Sequence, residues 1–113
     1  MNISFDNIGQ VCASFACDDT VQVGDACNMS ENNTIKRSGE DQPFLGKVLS
    51  IRDGIANVAI RGFATFSFTG SAPSVGYAGF CGDGNGNVVL SNEMEPRLVV
   101  CVDNIHKTVT VLL

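Results

Sequence analysis

The chain has 113 residues, a net charge of −5, 44% hydrophobic residues and 17% charged residues. This length suits one domain, and ample Val, Ile, Leu and Phe argue against intrinsic disorder. The acidic balance, with its basic residues scattered, argues against direct binding to a nucleic-acid backbone. No apolar run approaches the roughly 20 residues that span a bilayer, and the first ten residues do not resemble a secretion signal. We therefore expect a protein made in the cytosol, with neither nucleic acid nor membrane as a partner.

The first segment, residues 1–20, has apolar side chains interrupted by polar ones. The apolar members before residue 12 are Ile3, Phe5, Ile8 and Val11. Chain ends are poorly ordered unless they are tied down, and this end carries apolar anchors. The segment is predicted to be either an N-terminal arm that docks on a neighbour or an ordinary edge strand. The main domain is predicted at residues 21–113.

Alternation typical of β-strands dominates the rest of the chain. Residues 58–60, 64–68 and 108–111 alternate between the two faces of a strand, and residues 46–51 and 98–102 are rich in β-branched side chains. A period of two is the strand signature, and no window of eleven or more residues shows the helical period of 3.6. The predicted fold class is all-β, a small single-domain β-barrel or sandwich.

Glycine and asparagine mark the turns between these strands. Residues 52–54 and 103–107 each separate two strands, which predicts two hairpins. In the loop at residues 82–87, Asp83, Asn85 and Asn87 occupy positions 1, 3 and 5 of a possible calcium loop. Position 6 is Val88 rather than glycine and position 12 is Met94 rather than glutamate, so a β-turn is favoured over a calcium site.

An internal repeat is predicted between residues 23–60 and residues 75–112. The sequence VGDA at residues 23–26 resembles VGYA at residues 75–78, and each is followed by a polar turn, a short strand, a polar connection and a hairpin. Two similar halves would close one barrel or sandwich around a shared core, since neither half could bury its apolar face alone. The strand at residues 63–68 is predicted to bridge the halves, and residues 1–20 are placed outside the repeat.

Five cysteines are present, at Cys12, Cys17, Cys27, Cys81 and Cys101. Their odd number and the lack of a secretion signal argue against a disulfide framework. No pair has the short spacing of a zinc site, and His106 is the one histidine of the sequence. We expect most of them to be small buried hydrophobic residues, with no metal, no cofactor and no essential disulfide.

The sequence offers no catalytic constellation. A Ser–His–Asp or Cys–His site would have to use His106, which lies in a predicted turn. The carboxylates are concentrated in predicted turns, whereas a general acid needs a pocket that shifts its pKa. We therefore predict a protein that is not an enzyme.

The order of strands and turns resembles the small head-decoration, or capsid-stabilising, proteins of tailed phages and prophages. The features that carry the resemblance are the apolar N-terminal segment, VQVGDA at residues 21–26, FLGKV at 44–48, VAIRGFA at 58–64, APSVG at 72–76 and the closing strand at 108–113. It covers the whole chain and implies an all-β, often trimeric protein without catalytic residues. The five cysteines and the acidic segment around Met94 are not features of that family.

The resemblance implies a non-enzymatic virion protein, made in the host bacterial cytoplasm, that binds the outside of a phage capsid and stabilises the head. Its partners would be the major capsid protein and two further copies of itself in a homotrimer. Aromatic residues are enriched at interfaces. The candidate contact residues are Ile3, Phe5, Ile8, Val11, Phe63, Phe66, Tyr77 and Phe80.

Two alternatives stay open. One is a soluble ligand-binding β-barrel for a carbohydrate or peptide, although the scarcity of Trp and Tyr counts against its stacking platform. The other is a different virion component, such as a head–tail or tail protein.

Overall fold

Eleven β-strands and no helix form the regular structure of residues 8–113, the part of the chain that the computed structural model describes. In chain order the strands are β1 (Val11–Ala16), β2 (Ala26–Glu31), β3 (Thr34–Arg37), β4 (Gly46–Arg52), β5 (Ile55–Arg61), β6 (Phe63–Thr69), β7 (Gly76–Ala78), β8 (Phe80–Gly82), β9 (Val88–Leu90), β10 (Arg97–Asp103) and β11 (Thr108–Leu112). The predicted all-β class is confirmed.

The first sheet closes on itself as a five-stranded barrel in the order β1-β3-β2-β4-β5. β1 closes it, because it pairs antiparallel with β5 along its length and parallel with β3 at Ala16 and Thr34. Buried side chains fill the interior, namely Val21, Cys27, Ile35, Val48, Ala56 and Val58. Along β4 and β5 these residues are interspersed with more exposed ones, as a pleated strand with one face in a core requires.

The second sheet has six strands in the order β7-β10-β11-β6-β9-β8 and covers a core rich in aromatic rings. Phe66 on β6 lies in this core, with its ring centroid 5.1 Å from that of Phe44 in an edge-to-face arrangement. The other buried members are Ala26, Ala64, Phe68, Phe80, Val88, Val99, Val109 and Val111. Because Ala26 and Phe44 come from the first half of the chain, the two halves share this core.

The strands of the two sheets pair in the same way, which confirms the prediction of two similar halves. β1 and β6 are equivalent, since each pairs antiparallel with the last strand of its half and parallel with a short strand, β3 or β9. The β4–β5 and β10–β11 hairpins are also equivalent. Their registers shift at matching places, between Val48 and Ser50 in one and between Val99 and Cys101 in the other. The likeness therefore extends to the bulge inside each hairpin.

One part of the repeat prediction was wrong. It placed residues 1–20 outside the repeat and used residues 63–68 as a bridge between the halves. The pairing shows instead that β1 is the counterpart of β6, so each half begins with its own strand of this kind. The small residues of β1, Cys12, Ala13 and Ser14, give little apolar alternation, and the sequence pattern there is weak for that reason.

The predicted N-terminal arm adjoins this strand. Ile3 and Phe5 lie outside the described residues. Ile8 precedes β1 and Val11 is its first residue, and both side chains are half exposed. From Val11 onward the chain is paired with β5, so a docking arm can comprise only residues that precede β1.

Gly79 interrupts the second sheet at a place where the first sheet is continuous. β2 pairs with both β3 and β4, whereas its counterpart is divided into β7, which pairs with β10, and β8, which pairs with β9. The Gly79 carbonyl accepts a hydrogen bond from the Ser91 amide at 2.9 Å. A Cβ at Gly79 would lie 2.6 Å from the Met94 carbonyl oxygen and closer still to that of Ser91. The segment after β9 therefore packs directly on the backbone at residue 79.

Backbone hydrogen bonds join the two halves beside an ion pair of the first half. The Ala26 amide donates to the Gly86 carbonyl at 2.9 Å. Next to it, the buried Asp25 carboxylate accepts a hydrogen bond from Arg37 Nε at 3.0 Å. A Cβ on Gly86 would collide with the Asp25 carboxylate, so glycine is required for this approach.

The five cysteines are free and differ in exposure. Cys27 and Cys81 are buried as expected, but Cys12 and Cys101 are exposed, because β1 and β10 place them on the outer faces of their sheets. The expectation that most cysteines are buried is therefore wrong. Burial, reinforced by the nearby Asp25 charge, raises the pKa of the Cys27 thiol to about 12.

Substitution of Gly79 by alanine tests the packing at the break in the sheet. The added methyl group would force the backbone at Ser91 or Met94 to move, so Gly79→Ala is expected to lower the free energy of unfolding by about 2–4 kcal/mol. Gly39→Ala is the matched control, since its Cβ would meet Gln42 Cγ at an ordinary 3.4 Å. Urea unfolding of both variants measures the difference. If the two variants were equally stable, the segment after β9 would be able to move away from residue 79 without loss of folding free energy.

Asp83 provides a test by pH. Its carboxylate accepts hydrogen bonds from the Asn85 amide, the Asn87 amide, the Asn87 side chain and the Thr69 hydroxyl, at 2.8–3.2 Å. Burial raises the pKa of Asp83, but these hydrogen bonds together lower it below its ordinary value. A depressed folded-state pKa gives stability that is present above the unfolded pKa, about 3.9, and is lost as the pH falls through the folded value.

Asp83→Asn is therefore expected to melt at a lower temperature than the wild type at pH 7, with the difference shrinking below about pH 4. Thermal melts across this pH range measure it, with the exposed Asp19→Asn as control. A difference that stays constant with pH would show that the charge of Asp83 is not what stabilises the loop.

Candidate functional site

A line of large apolar side chains crosses the outer face of the second sheet. Leu98 pairs with Tyr77, and Leu112 pairs with Phe63. Because the next residues inward, Val99 and Val111, pair with each other, Leu98 lies beside Leu112. We call Tyr77, Leu98, Leu112 and Phe63 the apolar row.

The apolar row faces outward because its neighbours in sequence face inward. Val99, Val111 and Ala64 are at most 3% exposed and belong to the core, so the alternation of a strand turns the adjacent residues out. Tyr77 is 76% exposed and Leu112 39%, while Leu98 and Phe63 are half-buried. Adjacent apolar side chains on one outer face mark a contact surface more strongly than scattered ones do.

The apolar row borders a cleft of about 500 Å³. Its other walls consist of two prolines, two phenylalanines, a methionine, a leucine and two charged side chains. The lining consists of Pro43, Phe44, Tyr77, Phe80, Met94, Glu95, Pro96, Arg97, Leu98, Leu112 and Leu113. The volume lies within the range of small-ligand and peptide sites in proteins.

The break at Gly79 places the cleft. Tyr77 precedes the break on β7 and Phe80 follows it on β8, so they line the cleft from both sides of the interruption. Met94 reaches the cleft because its segment packs on Gly79. The cleft therefore lies where the second half departs from the closed geometry of the first.

Arg97 is the principal charged group of the cleft. Its guanidinium carbon lies 4.7 Å from the centroid of the Phe44 ring, and its Nη2 donates to the Phe44 carbonyl at 3.1 Å. Burial lowers the pKa of Arg97, the nearby Arg61 charge lowers it further, and Glu95 partly offsets both. The guanidinium stays charged at neutral pH because an arginine side chain is too basic to lose its proton there.

The arginines at the cleft are not held in ion pairs with the described residues. Among residues 8–113 the ion pairs within 4 Å are Arg37–Asp25 and His106–Asp103, so neither Arg61 nor Arg97 belongs to one. The cleft lining holds one cation, Arg97, and one carboxylate, Glu95, and the Arg61 charge acts on Arg97 from outside the lining. The arrangement offers a ligand an apolar surface with a cation and a carboxylate at its edge.

The predicted contact residues are divided between surface and core. Tyr77 and Phe63 lie in the apolar row, and the Phe63 amide donates to the Ile8 carbonyl at 3.3 Å, which places Ile8 at the end of that row. Val11 is half exposed beside Arg61. Phe80 is buried and meets the surface as part of the cleft wall. Ile3 and Phe5 lie outside the described residues.

Phe66 does not lie on the contact surface. The sequence grouped it with the contact residues, but it is 1% exposed and packs in the core against Phe44. Phe63 and Phe66 stand on opposite faces of β6, because they are three positions apart and successive residues of a strand alternate between its faces. Because Phe63 faces outward, Phe66 must face the core.

Leu98, Leu112 and Arg97 were not predicted from the sequence. The two leucines flank apolar runs that also contain core residues, and alternation alone does not show which parity faces inward. No sequence pattern near Arg97 indicated its role, since its partner Phe44 is distant in sequence and comes from the other half of the chain.

No family model, curated protein or solved structure matches the chain. Within residues 8–113 there is no helix long and apolar enough to cross a bilayer. The same residues contain no cluster of three or more His, Cys, Asp or Glu side chains placed to hold a metal ion.

Substitution of Arg97 tests its role in shaping the cleft. Arg97→Met removes both the hydrogen bond to the Phe44 carbonyl and the contact of the cation with the ring, and is expected to cost about 1–2 kcal/mol of folding free energy. Arg97→Lys keeps the charge without the planar guanidinium. Its stability is expected to lie between that of the wild type and that of Arg97→Met. Denaturant unfolding measures both, with the exposed Arg52→Met as control. An unchanged stability of Arg97→Met would show that the two contacts do not hold the cleft wall.

Proposed function

We propose that the protein is a non-enzymatic structural component of a tailed-phage virion, which binds the outside of the capsid and stabilises the head. The observation that carries the proposal is the apolar row together with the cleft beside it. A protein-binding surface of this kind is what a decoration protein requires, because its work is done by contact and not by chemistry. The resemblance of the strand and turn order to head-decoration proteins is the reason for proposing a phage capsid as the binding partner.

The strength of one such contact favours an oligomer. Full burial of a large apolar side chain contributes about 1.5–3 kcal/mol, and the residues of the row are already partly buried. Part of that gain is lost to the translational and rotational freedom given up on binding. A single copy would therefore bind a shell weakly, whereas linked copies bind with much greater avidity.

The proposed partners are accordingly the major capsid protein and two further copies of this chain. A homotrimer matches a symmetric shell, on which identical sites recur around symmetry axes. The proposed location is the capsid surface, after synthesis in the cytoplasm of the host bacterium.

The cleft itself favours the second candidate, a soluble ligand-binding barrel. Tyr77 offers an exposed ring and Arg97 a fixed cation, which together could hold a small peptide or a carbohydrate acid. That function predicts saturable binding of a small ligand in the absence of any shell. A tail or head–tail location would use the same surface against a different virion protein.

Co-sedimentation with capsid shells tests the proposal. The wild-type protein is expected to bind shells of the phage or prophage that encodes it and to raise the temperature at which they release their contents. Tyr77→Ser, at the most exposed position of the row, is expected to weaken retention at least about tenfold.

Ile105→Ser is the matched control. Ile105 is 89% exposed in the turn between β10 and β11, at the opposite end of β10 from Leu98, so its loss should leave shell binding unchanged. Failure of the wild type to bind shells would refute the function. Equal losses in both variants would show that the row is not the contact surface.

A further inference from the structure

The second half of the chain packs on the first through a contact at Ala26. The Ala26 amide donates to the Gly86 carbonyl at 2.9 Å, and the Ala26 side chain is fully buried in the core of the second sheet. Gly86 belongs to the loop at residues 83–87, between β8 and β9. One half therefore contributes a loop and the other a strand position, so the contact is not symmetric between the halves.

Tyr77 is the counterpart of Ala26 in the second sheet. Ala26 pairs with Lys47, next to the residue at which the register of its hairpin shifts. Tyr77 pairs with Leu98, which has the same place in the other hairpin. Strand pairing defines this equivalence, and it differs by one position from the likeness of VGDA and VGYA in the sequence. Ala26 is covered by the other half of the chain, whereas Tyr77 is 76% exposed.

The loop that covers Ala26 also has a counterpart in the first half. Residues 83–87 lie between the paired ends of β8 and β9, and residues 30–34 lie at the same place in the pairing of β2 with β3. Asn33 then takes the place of Gly86, and both have a positive φ, of 60° and 92°. We call residues 29–33 the hairpin tip, and all of them are exposed. The first half therefore carries an unused counterpart of the loop that the second half uses.

Side-chain size is complementary between the hairpin tip and the surface beside Tyr77. In the contact within the chain, a Cβ on Gly86 would collide with the Asp25 carboxylate. The position equivalent to Asp25 is Gly76, where a Cβ would meet no atom of the described residues within 4 Å. The side chain thus belongs to the strand in one case and to the tip in the other, so Asn33 has space beside Gly76.

The geometry selects a second copy as the source of the tip. Tyr77 is 76% exposed while the tip of its own chain lies on the first barrel, where the Asn33 carbonyl accepts a hydrogen bond from the Ala16 amide at 2.8 Å. That carbonyl can accept a second hydrogen bond, because its oxygen has two lone pairs. Each copy therefore presents one tip and one site, and the two do not meet within a copy.

We propose that the hairpin tip of one copy binds at Tyr77 of a second copy, with Asn33 beside Gly76, and so repeats between copies the contact that the halves make within one. The inference deepens the proposed function and rests on it for the setting, since it names the contact that joins copies on a shell. The contact is heterologous, so it closes into a ring when the rotation between copies permits. A trimer closed in this way is a ring of alternating first and second halves.

Complementation between two full-length variants tests the proposal without any shell. The tip variant carries Met29→Ser and Asn33→Gly with an intact site, and the site variant carries Tyr77→Ser with an intact tip. The wild type is expected to self-associate in sedimentation equilibrium, and each variant alone is expected to do so at least about tenfold more weakly. An equimolar mixture should form a heterodimer, since one tip and one site remain. Thermal melts establish that each variant is folded, and Ile105→Ser, in another exposed turn, is the control.

Tyrosine fluorescence locates the contact. Tyr77 is the one tyrosine of the sequence, which has no tryptophan, so the emission reports on the site itself. The site variant lacks this tyrosine and can be titrated into the tip variant without adding emission of its own. Quenching of Tyr77 by acrylamide is expected to fall severalfold as the site variant is added, because its tip covers the ring. The tip variant titrated with itself should show no such protection.

Several results would overturn the proposal. A mixture of the two variants that stays monomeric, or that leaves Tyr77 as open to quenching as before, would show that the tip does not bind there. Self-association that survives unchanged in the tip variant would place the contact elsewhere. A wild type that stays monomeric at every concentration would leave Tyr77 to another part of its own chain or to a different protein. These readouts are independent of shell binding, so a failure here is distinct from a failure of the decoration function.

Discussion

The packing of the segment after β9 on the backbone of Gly79 is the contact on which the candidate site depends. It divides what would be one strand into β7 and β8, so that β7 pairs with β10 and β8 with β9. In the first half the corresponding strand is continuous and the barrel closes. The halves share a strand plan and both bulged hairpins, yet this local approach of two backbones exposes Tyr77 and places a cleft beside it.

Arg97 stabilises the wall of the cleft at the open edge of the second core. The guanidinium spans from the ring face to the Phe44 carbonyl, and so it links β10 to the segment before β4. Its burial is unfavourable by itself, as the lowered pKa shows, and the contacts to Phe44 offset that cost. The same group then supplies a positive charge that a ligand would meet beside the Glu95 carboxylate.

Much of the fold follows from local patterns in the sequence, and much of the site does not. Period-two runs and the turn at Asp53 and Gly54 predict the strands and hairpins, because strand geometry and turn geometry are local. The role of Gly79 depends on Ser91 and Met94, more than ten residues away, and no local pattern reports such an approach. Alternation also leaves the inward face undetermined, which is how Phe63 and Phe66 came to be grouped although they stand on opposite faces of β6.

The duplication does not by itself produce the cleft. If both halves had kept the same open edge, one chain would carry two equivalent clefts. The first barrel is closed at the corresponding place, because β2 is unbroken there and pairs with both β3 and β4. Within its own half, the surroundings of Tyr77 therefore differ from their counterpart through one local contact, the packing of residues 91–94 on Gly79, and not through a different strand plan.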